Sequence, residues 1–234
     1  MQKRTIVTLS VIAGALLLGG AAAVAGPIVY RDLIVGEQEA APTVTVAPSA
    51  PSDAAGSIDP SDLSGEWAAT DGSFAGYRVD EVLNNTDVTV VGRTEEVTGA
   101  FTVDGLTLTA AEITVDVASI ETDSTSRDAY FRDMALRTSE HPTATFVLTG
   151  PVTTSSAPAL GEVQTITATG DLTIAGVTRQ MTVELEAVLN DGSGQVAGSI
   201  PITFADFGVE APNLGFVSVE PDGFVEFSLV IAPA

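Results

Sequence analysis

The chain has 234 residues, 9 basic against 31 acidic, with a formal net charge of −22, one histidine and no cysteine. A field of that sign argues against binding DNA, RNA or an anionic membrane face. The missing cysteine excludes disulfides, thiolate chemistry, Cys-ligated zinc, iron–sulfur clusters and a lipoprotein anchor. From Ser61 onward 26 acidic residues accompany 6 arginines, so the folded part holds most of the excess. Such a surface resembles that of proteins adapted to high salt, where screening relieves self-repulsion, and equally that of an ordinary acidic exported protein.

Lys3 and Arg4 precede an apolar run from Ile6 to Ala25, about the length of helix that crosses a bilayer core. The charge order places the N-terminus in the cytoplasm and the rest outside. A signal peptide cleaved after Ala23-Val24-Ala25 is the rival reading. The anchor is preferred because apolar character resumes through Pro27, Ile28, Val29 and Tyr30. Residues 1–30 are therefore assigned to a membrane anchor and 31–62 to a tether. The tether is rich in Ala, Pro, Ser and acids and cannot build a core. Residues 63–234 are long enough for one domain.

Within that domain the period-2 alternation of strands dominates. Gly65-Glu66-Trp67 opens it. Phe74–Val79 and Asp87–Val91 read as strands around an Asn84-Asn85 turn. Val97, Gly99, Phe101 and Val103 share a face, and Asp104-Gly105 turns the chain into Leu106, Leu108 and Ala110. Glu112–Val117 alternates cleanly. Thr125 with Asp128 reads as a capping box for one short helix, Arg127–Leu136, which Pro142 stops. Thr143–Thr149 resumes strand. Thr165–Glu186 is a hairpin with Ile166, Ala168, Leu172 and Ile174 on one face and a turn at Ala175–Thr178. Val196–Phe204 is a strand whose Pro201 predicts an edge or a bulge. Phe216–Val219 is expected to pair with the last strand across Pro221-Asp222-Gly223. In that last strand Val225, Phe227, Leu229 and Ile231 share a face. Eight or more antiparallel strands with short connections allow a barrel or a sandwich. The barrel is preferred because closure removes the edges, and one of about eight strands can enclose an elongated small ligand.

Catalytic and metal signals are sparse. His141 has no carboxylate or serine at triad spacing and reads as structural. Asp206-Phe207-Gly208 matches the kinase magnesium triplet in letters only, without its companion loops. No cofactor fingerprint, calcium loop or metal site is expected. Arg127 and Arg179 lie beside turns. They are read either as ion-paired loop fasteners or as groups at a barrel mouth that meet a polar head group. Phe74, Phe101, Phe131, Phe146 and Phe204 are core or tunnel lining, which require the same alternation.

The runs SIETDSTSRDAYFRDMAL, HPTATFVLTG, GDLTIAGVTRQMTVELE and ITFADFGV resemble, in order and spacing, the YceI-like family. The resemblance covers about Trp67 to Ile231. It implies an all-β fold, an extended antiparallel lipocalin-like barrel with one short helix behind the N-terminal transmembrane helix. It implies a non-catalytic role, binding an isoprenoid lipid or isoprenoid quinone outside the cytoplasmic membrane. By that likeness Phe74, Phe101, Tyr130, Phe131, Met134, Phe146 and Phe204 would line or rim the tunnel. Arg127 and Arg179 would stand near its mouth, and Arg127–Leu136 would cover part of it. The expected partners are the isoprenoid ligand and the cytoplasmic membrane, with homodimerisation admitted and no nucleic acid. A ligand-free module of the cell envelope is the alternative, and an enzyme acting on bound lipid lacks a base–nucleophile pair.

Overall fold

Strand pairing follows from turn geometry. Ala175 and Gly176 hold φ of 49° and 77°, the left-handed pair of a type I′ turn, whose twist matches antiparallel strands. The turn is thus two residues long, shorter than the four expected. From it β8 (Val163–Ile174) and β9 (Val177–Asn190) pair continuously, from Ile174 opposite Val177 to Val163 opposite Val188. A Cβ at Gly176 would lie 2.6 Å from the His141 ring, so the glycine also makes room for that imidazole. The lone histidine packs over a turn. The structure, a computed structural model, describes residues 40–46, 59–83, 85–156, 158–190 and 192–234.

The remaining strands are β1 (Gly65–Ala69), β2 (Phe74–Leu83), β3 (Thr86–Thr94), β4 (Val97–Asp104) and β5 (Thr107–Asp116), then β6 (Thr143–Leu148), β7 (Val152–Thr153), β10 (Ser193–Thr203) and β11 (Val217–Pro233). Neighbour order runs β1-β4-β5-β6-β8-β9-β10-β11, and β11 pairs back onto β1. This closes an eight-stranded antiparallel barrel. The β2–β3 hairpin adds beside β11, and β7 pairs with β5. A bulge between Thr102 and Val103 shifts the β4–β5 register, which reconciles Leu108 with Ala111 and Ile113 on the inner side.

β11 corrects the expected C-terminal hairpin. Pro221-Asp222-Gly223 is not a turn between two strands. It is an irregularity inside one 17-residue strand, where the pairing with β2 shifts between Val219 and Gly223. The length lets β11 serve two partners. Val217–Ser228 pairs with β2, and Ile231–Pro233 pairs with β1. At the changeover Thr70 N and Ser73 Oγ both donate to the Val230 carbonyl, at 2.8 and 3.2 Å, so the ladder loses no bond there. Pro201 also finds its reason. β10 leaves β9 after Gly198 opposite Leu185, so Pro201 sits on a freed edge, and the 3-10 turn Phe204–Phe207 follows.

The helical segment begins one residue earlier than the capping-box reading placed it. Ser124 is the N-cap, accepting from Arg127 N at 3.5 Å, and α1 (Thr125–Tyr130) runs directly into a π-helical turn, Phe131–Ala135. Asp128 is buried and accepts from Thr122 N and Oγ1 at 3.0 and 2.7 Å, tying the preceding loop to the helix. Part of the expected tether is ordered. Residues 40–46 run along the barrel, where Val44 N donates to Glu186 Oε2 at 3.3 Å and Thr45 N to Gln195 Oε1 at 2.7 Å. Among the described residues no helix is long and apolar enough to cross a membrane; the expected span Ile6–Ala25 lies outside them.

Candidate ligand-binding cavity

Alternation along the long strands puts one row of side chains inside the barrel. On β11 that row is Val225, Phe227, Leu229 and Ile231; on β8 it is Ile166, Ala168 and Leu172. These side chains do not fill the interior. Cavity 1, of about 270 Å³, lies at the β1 end and is walled by Trp67, Phe101, Phe146, Leu185 and Phe227 among others. Cavity 2, of about 500 Å³, lies at the β2 end under α1 and the 210–217 loop. Ala75, Val115, Ala144, Leu172 and Val225 line both. The two chambers are therefore neighbours that share a partition of aliphatic side chains, two of them alanines.

Cavity 1 is almost wholly apolar. Cavity 2 has a polar end around Tyr77, Glu81, Ser124, Ser126, Arg127 and Tyr130, and Glu210 is a further polar residue of its lining. β2 supplies Tyr77 and Glu81 on its inward face, in the same row as Ala75 and Val79. The N-cap at Ser124 fixes the first turn of α1 so that Arg127 reaches Glu81. Its Nη2 donates to Glu81 Oε1 at 3.1 Å and its Nη1 to Asp123 Oδ1 at 2.5 Å. Burial alone would lower the Arg127 pKa, but Glu81 and Asp123 outweigh it and hold the guanidinium above its ordinary value. The Tyr77 ring stacks on Phe131 with centroids 4.9 Å apart and planes 13° from parallel. Burial pushes the Tyr77 phenol up; Arg127 pulls against that, and the carboxylates of Asp128, Glu81 and Asp123 add to it. The phenol stays protonated.

Six of the nine residues expected from sequence line the cavities. Phe101 and Phe146 line cavity 1, and Arg127, Tyr130, Phe131 and Phe204 line cavity 2. Arg127 is ion-paired, as one of its two readings has it, and it also lines cavity 2. Phe74, Met134 and Arg179 lie outside both chambers. Phe74 is on the outer row of β2, under the Arg93 guanidinium at 4.5 Å from its ring centroid. Met134 is exposed on the π-helical turn, which turns it away from the chamber. Arg179 is exposed beside the outer cleft where β9 and β10 diverge.

Two charged groups escaped the sequence reading. Glu81 falls on the apolar side of the β2 alternation, a signal that was present. Glu226 is 1% exposed on the outer face. Arg78 Nε donates to its Oε1 at 2.6 Å and Arg93 Nη2 lies 3.9 Å from Oε2. Residues 40–46 run nearby, with Arg93 Nη2 donating to the Ala40 carbonyl at 3.4 Å. No group of three or more His, Asp or Glu positioned to hold a metal occurs among the described residues.

The family model described as the YceI-like domain matches residues 49–231. A UPF0312 protein of Shewanella denitrificans is 29% identical over 133 residues, which span 52% of this chain and 64% of that relative. A polyisoprenoid-binding domain from Saccharophagus degradans, implicated in plant cell wall breakdown, superposes with a TM-score of 0.58 at 19% identity, covering 72% of this chain and 98% of that one. BcnA of Burkholderia cenocepacia superposes with a TM-score of 0.51 at 24% identity, covering 66% and 95%. These structural likenesses establish the fold.

Proposed function

The chain belongs to the YceI-like family, and from that footing we propose that its barrel binds and carries an isoprenoid lipid, a polyprenyl chain or an isoprenoid quinone. Membership puts it among non-catalytic lipid-binding proteins rather than enzymes. The observation that carries the reading is the pair of largely apolar chambers set end to end inside the barrel, sharing five aliphatic lining residues. An elongated, flexible hydrocarbon suits that shape, and each buried CH₂ contributes about 0.8 kcal/mol. The related domain from Saccharophagus degradans supports the same class of ligand by its polyisoprenoid-binding description. The inner aromatics Phe101, Phe131, Phe146 and Phe204 contact the chain, and Arg127 and Tyr130 stand at its head. The proposal includes the division into anchor 1–30, tether 31–62 and barrel 63–234, with the barrel held outside the cytoplasmic membrane.

The test is uptake by the purified full-length chain of prenols of ten, twenty and forty carbons, followed by native mass spectrometry. One bound molecule per chain, with affinity rising with length, is the expected result. No uptake at any length refutes the carrier reading and leaves a ligand-free envelope module.

A further inference from the structure

The polar end of cavity 2 carries information about the head group that barrel closure does not require. Glu81 is 5% exposed and lines the chamber. Its Oε1 is held by Arg127 at 3.1 Å, while Oε2 accepts no hydrogen bond from the described residues. That oxygen is not sealed off from the chamber, so it can accept from a donor placed there. The Tyr77 hydroxyl is likewise without a hydrogen bond among the described residues, and its side chain lines the same chamber. One open acceptor and one open phenol thus remain in an otherwise greasy cavity.

The charge balance there is unusual for an end that would hold phosphate. Arg127 is the single cation lining cavity 2. It is already engaged by Glu81 and by Asp123, at 3.1 and 2.5 Å, and Glu210 adds a further carboxylate to the lining of the same chamber. One guanidinium meets two carboxylates, with Asp128 buried close by. A phosphate monoester, carrying about −1.5 to −2 near neutral pH, would have to displace Arg127 from its partners and face the released carboxylates in a poorly screened site. A hydroxyl donates to Glu81 Oε2 without moving a charge.

We infer that cavity 2 selects a neutral, hydroxyl-bearing isoprenoid head group, an alcohol or a hydroquinone, and rejects its phosphorylated counterpart. This rests on the lipid-carrier reading and adds to it the chemistry of the head. Glu81 is the accepting group, Arg127 orients it, and Asp123 and Glu210 complete the field against anions.

The experiment compares ligands with one twenty-carbon chain on the full-length protein: geranylgeraniol, its monophosphate, its methyl ether, and a naphthoquinone with the same tail, reduced and oxidised. The alcohol is expected to bind at least about tenfold tighter than the phosphate and about fivefold tighter than the ether, the scale of a hydrogen bond to a charged acceptor. A reduced quinone binding tighter than the alcohol identifies hydroquinone as the source of the hydroxyl; the reverse identifies a prenol. Glu81→Gln should bring the phosphate to within about threefold of the alcohol. Asp123→Asn, at an exposed position outside the core, should shift the ratio the same way by a smaller amount. Asp133→Asn, exposed and away from the chamber, is the control. Phosphate binding as tightly as alcohol, or a ratio unmoved in both Glu81→Gln and Asp123→Asn, overturns the inference. Absence of binding by every ligand instead overturns the carrier reading beneath it.

Discussion

Ala144→Phe tests whether the two chambers work as one. Ala144 stands on β6 opposite Val115, and both line cavity 1 and cavity 2. A benzyl group there closes the partition between the two. It leaves about 500 Å³ at the β2 end open and cuts off about 270 Å³ at the β1 end. Excluding a single five-carbon isoprene unit forfeits about 4 kcal/mol at roughly 0.8 kcal/mol per CH₂. A chain segment that is no longer ordered recovers entropy, so the net loss is smaller. A forty-carbon prenol should weaken at least about tenfold, or about 1.4 kcal/mol, while a ten-carbon prenol that fits cavity 2 alone changes by less than about twofold. The chain provides its own reporter. Trp67 is its only tryptophan and lines cavity 1, so long ligands should perturb its emission in the native protein and not in Ala144→Phe. If the substituted protein binds the long prenol unchanged, with the same Trp67 response, the chambers are not serially occupied and the reasoning fails.

Glu226→Ala should lower stability by about 1–3 kcal/mol in urea titrations, because it removes the buried acceptor of the Arg78 Nε hydrogen bond; a change below about 0.5 kcal/mol would mean the pair is solvated. Gly76→Ala should yield little folded protein, since its Cβ would sit 1.9 Å from the Gly92 carbonyl oxygen and backbone cannot yield there. Well-folded Gly76→Ala would require a different β2–β3 register. Tyr77→Phe should flatten the alkaline limb of the stability profile. The unfolded phenol ionises from its ordinary value of 10, whereas the folded one holds its proton to higher pH. Above pH 10 the native state therefore binds more protons, and stability falls by up to about 1.4 kcal/mol per pH unit. The same slope in Tyr77→Phe would show that Tyr77 is not the group responsible.

Much of the barrel was legible because alternation and turn chemistry are local. The β8–β9 hairpin, the inward row of β11 and the edge placement of Pro201 all follow from residues a few positions apart. The C-terminal strand was misread for the same reason. Pro221-Asp222-Gly223 has the composition of a turn, and only the demand of two different partners on β11 makes it an irregularity in one strand. The outer charge cluster depends on register across three strands. Glu226 lies opposite Gly76, and Gly76 opposite Arg93. The missing side chain at Gly76 lets the charges meet, and no sequence period announces that. Phe74 is grouped by sequence with the other phenylalanines as core or tunnel lining, whereas the parity of β2 puts Tyr77 and Glu81 inside. Applied strictly, that parity would have exposed Glu81 as an acid on the lining face.

The central claim is that this interior is a lipid site, and the chain's own cargo tests it most directly. The protein would be purified from its native cells in mild detergent, extracted into organic solvent and analysed by mass spectrometry. The account predicts a near-stoichiometric isoprenoid whose head is neutral and carries a hydroxyl. An extract with no isoprenoid, from protein that also refuses every prenol offered to it, would contradict the account.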